Sequence, residues 1–405
     1  MRNRRLLRLL AVLFAFVLVA AACGDDDDSS ASSASEASES SSESESSSES
    51  ESSSEDEGEG ESSAGCADEP EPSDGGLNVG TVLPETGNLA VLSAPLVLAV
   101  DMAICDINAA GGVNGADVIL TKGDSGTDAD IANTTVDRLL QEEVDAIIGA
   151  ASSGVTGGII EKVTSAGVTE CSPSNTAAGL GVSGDDGFYF RTAPSDDLQA
   201  PTLANVVLGD GYTNVAVVSR ADDYGVGFNA YLEPAVEAGG GTIVYNKTYA
   251  PEATSFDDVV ADVIASGPDA VVIVAFEEGV QLIQAMVEQG AGPDAIQIYI
   301  TDGMASGILG ELIDEANPGI AEGIKGTQPA AAPSTGAAFF PGAFAEFAPD
   351  VSTIFSAQSY DCAILIALAA EAAGSNNSAD IAAQIVEVSR GGEKCSTFAD
   401  CKELL

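Results

Sequence analysis

From residue 77 onward, short runs of consecutive apolar residues alternate with longer stretches whose apolar positions recur every three or four residues. The short runs predict strands at 77–82, 118–120, 146–148, 168–171, 188–190, 215–218, 242–245, 270–275 and 296–300. The longer stretches predict helices at 92–110, 129–142, 199–208, 226–238, 256–265 and 279–289. Strands that read as unbroken apolar runs, without a polar face, belong to parallel sheets covered by helices on both sides. There are too many such units for one sheet. The expected fold class is therefore α/β, with two doubly wound parallel sheets.

The first 75 residues follow neither pattern. Arg2, Arg4, Arg5 and Arg8 precede an apolar run over 9–19, and Ala20-Ala21-Ala22-Cys23 follows it. A basic start, a short apolar run and small residues before a cut site describe an export signal. The run is too short to span a bilayer comfortably. A Cys directly after the small residues resembles a bacterial lipobox. That resemblance makes 1–22 a lipoprotein signal peptide and Cys23 the lipidated residue. Residues 23–75 lack Lys and Arg and consist largely of Ser and acids. Such a segment cannot bury enough apolar surface to offset its ordering entropy, so a disordered acidic tether is expected.

Composition removes several kinds of chemistry. The chain of 405 residues has 14 Lys+Arg, 64 Asp+Glu and no His, for a formal charge of −50. Without His there is no Ser-His-Asp triad, no Cys-His pair and no His-held metal or haem. No GxxxxGK[ST] loop occurs, so nucleotide hydrolysis of that kind is excluded. The acidic balance opposes nucleic acid, whose phosphates need Lys and Arg. A two-carboxylate hydrolase is conceivable among so many acids, but few acids fall at strand ends. The chain reads as a non-enzyme with no cofactor. The cysteine spacings match no common zinc pattern, so no metal is expected. Cys395 and Cys401 close a small loop and are expected to form a disulfide in an exported protein.

In doubly wound folds, ligands bind beyond the carboxyl ends of the strands. Three strand ends carry suitable residues: Gly149-Ala150-Ala151-Ser152-Ser153-Gly154, Cys171-Ser172-Pro173-Ser174-Asn175-Thr176-Ala177 and Thr301-Asp302-Gly303. Hydroxyls and free N–H groups at a helix start attract a carboxylate. A facing acid attracts an ammonium group. Together they suit a zwitterion. Singly, each has an ordinary structural reading, Ser152 or Ser153 as a helix cap and Asp302-Gly303 as a turn.

Several stretches, in order and spacing, resemble the leucine/isoleucine/valine-type periplasmic binding proteins, the extracytoplasmic receptors of ABC importers. They include Gly80-Thr81-Val82-Leu83-Pro84-Glu85-Thr86-Gly87, Asp106-Ile107-Asn108-Ala109-Ala110-Gly111-Gly112-Val113-Asn114-Gly115 and Gly123-Asp124-Ser125. Ser172-Pro173-Ser174-Asn175-Thr176, Phe190-Arg191-Thr192-Ala193-Pro194-Ser195-Asp196, Asp223-Tyr224-Gly225 and Ser359-Tyr360-Asp361 continue the match. The resemblance implies two lobes joined by a hinge, the first from 76–193 plus 329–405 and the second from 194–328. Relatives continue past the position of Leu405, so the end of the second lobe is expected to be missing. The resemblance places the ligand carboxylate on Ser153 and Thr176, and the ammonium on the Ser174 carbonyl and Asp302. Tyr224 and Phe276 form an aromatic wall, and Leu92 and Ser152 line the side-chain end. Two departures bear on the ligand: Asp302 stands where the family often has Glu, and Leu92 where an aromatic residue is common. The family layout would also put Cys105 and Cys362 on neighbouring helices as a second disulfide, with Cys66 and Cys171 unassigned. The implied function is a receptor, lipid-anchored to the outer face of the cell membrane. It would bind a small amino acid, branched-chain first among candidates, and deliver it to separate ABC permease and ATPase chains. The alternative is a sensor of the same fold for amides, urea or aromatic acids.

Overall fold

The computed structural model describes residues 75–181, 185–330 and 335–405. The signal segment, Cys23, Cys66 and all of the tether but Gly75 lie outside the described residues.

The first sheet is built from β1 (Asn78–Val82), β2 (Ile119–Thr121), β3 (Ala146–Gly149), β4 (Thr169–Ser172) and β5 (Tyr189–Arg191). Their order is β2-β1-β3-β4-β5, and every pairing is parallel. Helices α1 (Ser93–Ala109), α2 (Ala129–Gln141) and α3 (Ser153–Ser165) connect them. The chain then crosses to α4 (Asp196–Gly209), β6 (Asn214–Arg220), α5 (Asp223–Ala238) and β7 (Thr242–Tyr249). It continues through α6 (Asp257–Ser266), β8 (Ala270–Val274), α7 (Gly279–Glu288), β9 (Gln297–Ile300), α8 (Leu309–Ile313) and β10 (Lys325–Gly326). These strands form a second all-parallel sheet, ordered β10-β9-β8-β6-β7. After β10 the chain returns to the first lobe as α9 (Thr335–Phe347), α10 (Ser356–Ala373), α11 (Ser378–Val388) and α12 (Phe398–Lys402).

The apolar runs explain the layers. Along β8, Ala270, Val272 and Val274 face the core shared with α4 and α5, while Val271 and Ile273 face α6 and α7. β6 divides in the same way, with Val215 and Val217 on one side and Ala216 and Val218 on the other. In the first sheet, Ala146 and Ile148 of β3 face α1 and α10, and Ile147 faces α2 and α3. A period of two along a strand buried on both faces sends alternate apolar residues into two cores. The helix α2 begins where the Asp128 carboxylate accepts from the N–H groups of Asp130 (2.9 Å) and Ile131 (3.0 Å), filling its N-cap.

Two features depart from the sequence reading. The predicted elements stop at 300, yet α8 to α12 follow. Of these, α10 is buried on nearly every side, from Ser356 and Tyr360 through Ala370. A helix apolar all round carries no amphipathic stripe to read. The disulfide expected between Cys105 and Cys362 does not form. Cys362 on α10 lies over β4 and bonds Cys171, with a Cα–Cα distance of 5.8 Å. Cys105 is disulfide-bonded separately. The helix–sheet contact, rather than the helix–helix one, sets the bridging distance. Cys395 and Cys401 are paired, with Cα atoms 5.1 Å apart.

Glu170, beside Cys171 on β4, is fully buried, and neither carboxyl oxygen has a partner among the described residues. Burial pushes its pKa up to about 8. The folded state then holds this proton more tightly than the unfolded chain does. Its contribution is complete below the unfolded pKa and is lost as pH rises through about 8. Glu170→Gln should raise stability near pH 9 by on the order of 4 kcal/mol and change it little near pH 5. Equal melting shifts at both pH values would contradict a buried, protonated Glu170.

Candidate functional site

The strand orders place the site. In the first sheet the order reverses at β1 and β3, and in the second at β6 and β8. The loops leaving these strands open a crevice at each reversal. Ser153 follows β3, Tyr224 follows β6 and Phe276 follows β8. The loops after β4 and β9 add Ser174, Thr176 and Asp302.

The first-lobe loops are tied to each other. The Ser172 hydroxyl donates to the Ala150 carbonyl (2.6 Å), and the Ser174 hydroxyl donates to that of Ala151 (3.1 Å). The Asn175 amide also donates to Ala151 (2.9 Å), while its oxygen accepts from the Tyr189 hydroxyl (2.9 Å). Ser153 opens α3, and its oxygen accepts from the Ala177 N–H (3.3 Å). Arg191 reaches the Ala177 carbonyl (2.7 Å). Thr176 is buried, and its hydroxyl has no partner among the described residues.

The second lobe supplies an aromatic stack and an acid. Phe276 lies parallel to Tyr224, with centroids 5.4 Å apart and planes 16° from parallel. The Arg220 guanidinium carbon sits 3.9 Å from the Phe276 centroid. Arg220 is buried between Glu278, a salt-bridge partner, and Asp222 (2.9 Å). Glu278 also accepts from the Tyr249 hydroxyl (2.8 Å) and the Phe276 N–H (3.2 Å). A buried cation thus fixes the back of the wall. At its front, the Tyr224 hydroxyl lies 2.7 Å from Thr301 Oγ1 and 3.0 Å from Asp302 Oδ1. Burial holds the Tyr224 phenol well above its ordinary pKa, so it stays a donor.

These groups meet around one small internal space of about 10 Å³, enough for roughly one water. Seven of the eight candidate residues line it: Leu92, Ser153, Ser174, Thr176, Tyr224, Phe276 and Asp302. Ser152 does not; it is buried at the N-cap position of α3. Ala151 and Gly303, from the strand-end stretches, also line the space, as do Leu89 and Phe355, which lie outside those stretches. Gly303 is required there, because a Cβ would stand 2.5 Å from the Ala275 carbonyl oxygen and 2.6 Å from Phe276 Cδ1. The lobes also touch directly, where the Glu277 N–H donates to the Asn88 carbonyl (3.0 Å). Any ligand larger than a water must enter with the lobes apart. A wider groove of about 970 Å³ runs beside the crossovers, between α4, α9 and α10, away from the convergence of hydroxyls and acid.

Two carboxyl groups dominate the electrostatics. Asp302 is buried, and its pKa is raised by that burial, against the pull of hydrogen bonds from Gln199 and Tyr224. Asp196, at the start of α4, is raised by burial and then by the charge of Asp302, with Thr176 and Arg191 opposing. Neither oxygen of Asp196 has a partner of good hydrogen-bond geometry among the described residues, the nearby Thr176 hydroxyl included, whereas Asp302 has well-placed donors. Those donors favour ionisation of Asp302 over that of Asp196. No basic side chain lines the space. Among the described residues no group of three or more His, Cys, Asp or Glu is placed to hold a metal ion.

Comparisons with known proteins agree with this architecture. The sequence pattern of a family described as periplasmic binding protein matches residues 76–390. A chemotactic signal transduction system substrate-binding protein, BasB of Halobacterium salinarum, is 30% identical over 247 residues. That match covers 58% of this chain and 53% of the relative, so the chain spans about half of it. Leu/Ile/Val-binding protein homolog 1 of Brucella melitensis is 28% identical over 315 residues, covering 76% of this chain and 82% of the relative. The branched-chain amino acid transporter substrate-binding protein LivJ of Streptococcus pneumoniae, solved with isoleucine, superposes with a TM-score of 0.67. It is 25% identical, with 77% of this chain and 88% of that one covered. A solute-binding protein of an ABC transporter from R. palustris, solved with 4-hydroxybenzoate, shares the fold at 17% identity and a TM-score of 0.65, covering 76% of this chain and 84% of that one. These relatives are binding proteins rather than enzymes. A family pattern spanning most of the chain, on two lobes whose loops meet in one cleft, makes the chain a member of the periplasmic binding protein family, whose fold is that of a solute-binding receptor.

Proposed function

We propose that the cleft binds a small α-amino acid, branched-chain in first place, and that Ser153, Ser174, Thr176, Tyr224, Phe276, Asp302 and Leu92 hold it. The observation that carries this reading is a cleft of two polarities. On the first lobe, the unpartnered Thr176 hydroxyl lies with Ser153, the first residue of α3. This is a carboxylate site, with hydroxyls and the positive end of a helix dipole. On the second lobe, Asp302 offers a buried carboxylate with no basic side chain among the lining residues. An ammonium group supplies the missing cation. An aromatic acid such as that held by the R. palustris protein would leave Asp302 uncompensated and add a second negative charge. Among the other lining residues, Leu89, Leu92, Ala151 and Phe355 are apolar and suit an aliphatic side chain.

On this reading the receptor works outside the cytoplasm, is held at the membrane by lipid on Cys23, and delivers its ligand to an ABC permease. The lobes comprise 76–193 with 329–405, and 194–328. The haloarchaeal relative named for chemotactic signal transduction supports a second reading, in which the same closed cleft is presented to a signalling partner.

A thermal-shift panel should show stabilisation by leucine, isoleucine or valine, about 2.7 kcal/mol at a hundredfold excess over Kd. A shift with benzoates alone would overturn the amino-acid assignment. Thr176→Ala and Asp302→Asn should each weaken leucine binding at least about tenfold; unchanged Kd in both would remove these residues from the site. Ammonium recognition needs ionised Asp302, whose pKa burial pushes up to about 6. Affinity should therefore fall as pH drops through about 6, and calorimetric titration at several pH values measures this. A flat profile would mean that Asp302 does not carry the contact.

A further inference from the structure

We infer that Gln199 is a positioning residue for the cleft acid, holding the Asp302 carboxylate in place and anchoring it to the crossover that returns the chain to the first lobe. Gln199 is the fourth residue of α4, just after the first crossover, and is 6% exposed. Its amide nitrogen donates to Asp302 Oδ1 (2.7 Å) and to the Thr327 carbonyl (3.1 Å). Thr327 directly follows β10, where the chain turns back. A primary amide has two hydrogens, and Asp302 Oδ1, the Thr327 carbonyl and, at 3.4 Å, the Thr327 hydroxyl oxygen lie within their reach, while the amide oxygen is buried without a partner among the described residues. The orientation of the amide follows from its partners. Flipped, its oxygen would face a carboxylate and a carbonyl, both acceptors. One side chain therefore joins the acid of the cleft to both passages between the lobes.

The arrangement has a chemical consequence. Oδ1 of Asp302 already accepts from Gln199 and Tyr224, and Oδ2 takes neither of these donors. Donation from Gln199 favours the ionised carboxyl, which burial opposes. The titratable and charged groups that bear on Asp302 are Tyr224 from α5 and Asp196 at the start of α4, with Arg191 and Asp197 acting on Asp196. Tyr224 stays protonated, and Asp196 is the weaker acid of the pair. Gln199 is thus a neutral group that tips the shared charge toward Asp302. This role deepens the amino-acid reading and rests on it for the affinity arm of the test.

The test measures two things. The first is the titration of the Asp302 carboxyl carbon by NMR in ligand-free protein, assigned by its loss in Asp302→Asn. The second is the pH profile of L-leucine binding. Gln199→Leu should move the Asp302 titration upward by about one unit, weaken L-leucine at least about tenfold near neutral pH and shift its profile to higher pH. Gln199→Glu keeps the shape of the side chain and covers the case in which the first variant does not fold. There, one proton shared with Asp302 restores the donor. Losing that proton places two anions together, so the rising profile becomes a bell. An Asp302 titration unmoved in Gln199→Leu, or a profile of unchanged shape in Gln199→Glu, would overturn the inference. If wild-type protein ignores L-leucine, the amino-acid reading fails, while the ligand-free titration still decides the role of Gln199.

Discussion

The cleft is organised around one buried carboxylate with no cation beside it. Removing an ionised carboxyl from water costs several kcal/mol even after relaxation, and Asp302 meets this cost with neutral donors alone. Those donors come from separate elements: Gln199 from α4 and Tyr224 from α5. Their positions depend in turn on the crossover at Thr327 and on the Arg220 cluster behind Phe276. Arg220, the cation nearest this wall, is committed to Glu278 and Asp222 on the far side of the ring. The fold thus keeps its positive charge out of the cleft and leaves the negative charge of Asp302 unanswered there.

The two sheets make this convergence possible. Each reverses its strand order once, and the loops at the two reversals face one another across the cleft. The first lobe presents a helix start and hydroxyls, the second an aromatic stack and an acid. Close approach demands small residues at the contact, hence Gly303 beside Phe276 and Gly154, where a Cβ would stand 3.2 Å from the Asp222 Cβ. Polarity is divided between the lobes, so neither half alone presents both ends of a zwitterion.

Much of this was legible in the sequence, for physical reasons. Strands buried on both faces advertise themselves as apolar runs, and β6 and β8 are such runs. The strand-end rule brought forward Ser153, Thr176 and Asp302 because their chemistry shows in their residue types. Other residues gave no such signal. Gln199 is an ordinary polar residue on a helix, and only the folded chain brings it to Asp302 and Thr327. Phe355 precedes α10 in a left-handed backbone conformation, φ 56°, that nothing in its residue type announces. Cys171 reaches Cys362 across 191 positions of sequence, a pairing decided by which face of α10 lies on β4. Ser152 holds the N-cap position and stays outside the small closed space, while its neighbour Ser153 lines it. At a helix start, one step along the chain rotates a side chain by about 100°.

The charge of the pair Asp196 and Asp302 bears on closure itself. With the lobes together, both carboxyls are buried, and hydrogen-bond donors favour ionisation of Asp302. In this closed, empty arrangement burial alone raises the Asp302 pKa. Closing on nothing therefore draws a proton toward Asp302. Closing on an ammonium group removes that need, because the cation replaces the proton. A ligand that binds only the closed form shifts the balance by its differential affinity and no more. Here that difference has an identifiable source, a carboxylate that the protein desolvates but does not neutralise. On the proposed amino-acid reading, an uncharged ligand of the same shape would leave this source untapped, and the closed state would discriminate by charge as well as by fit.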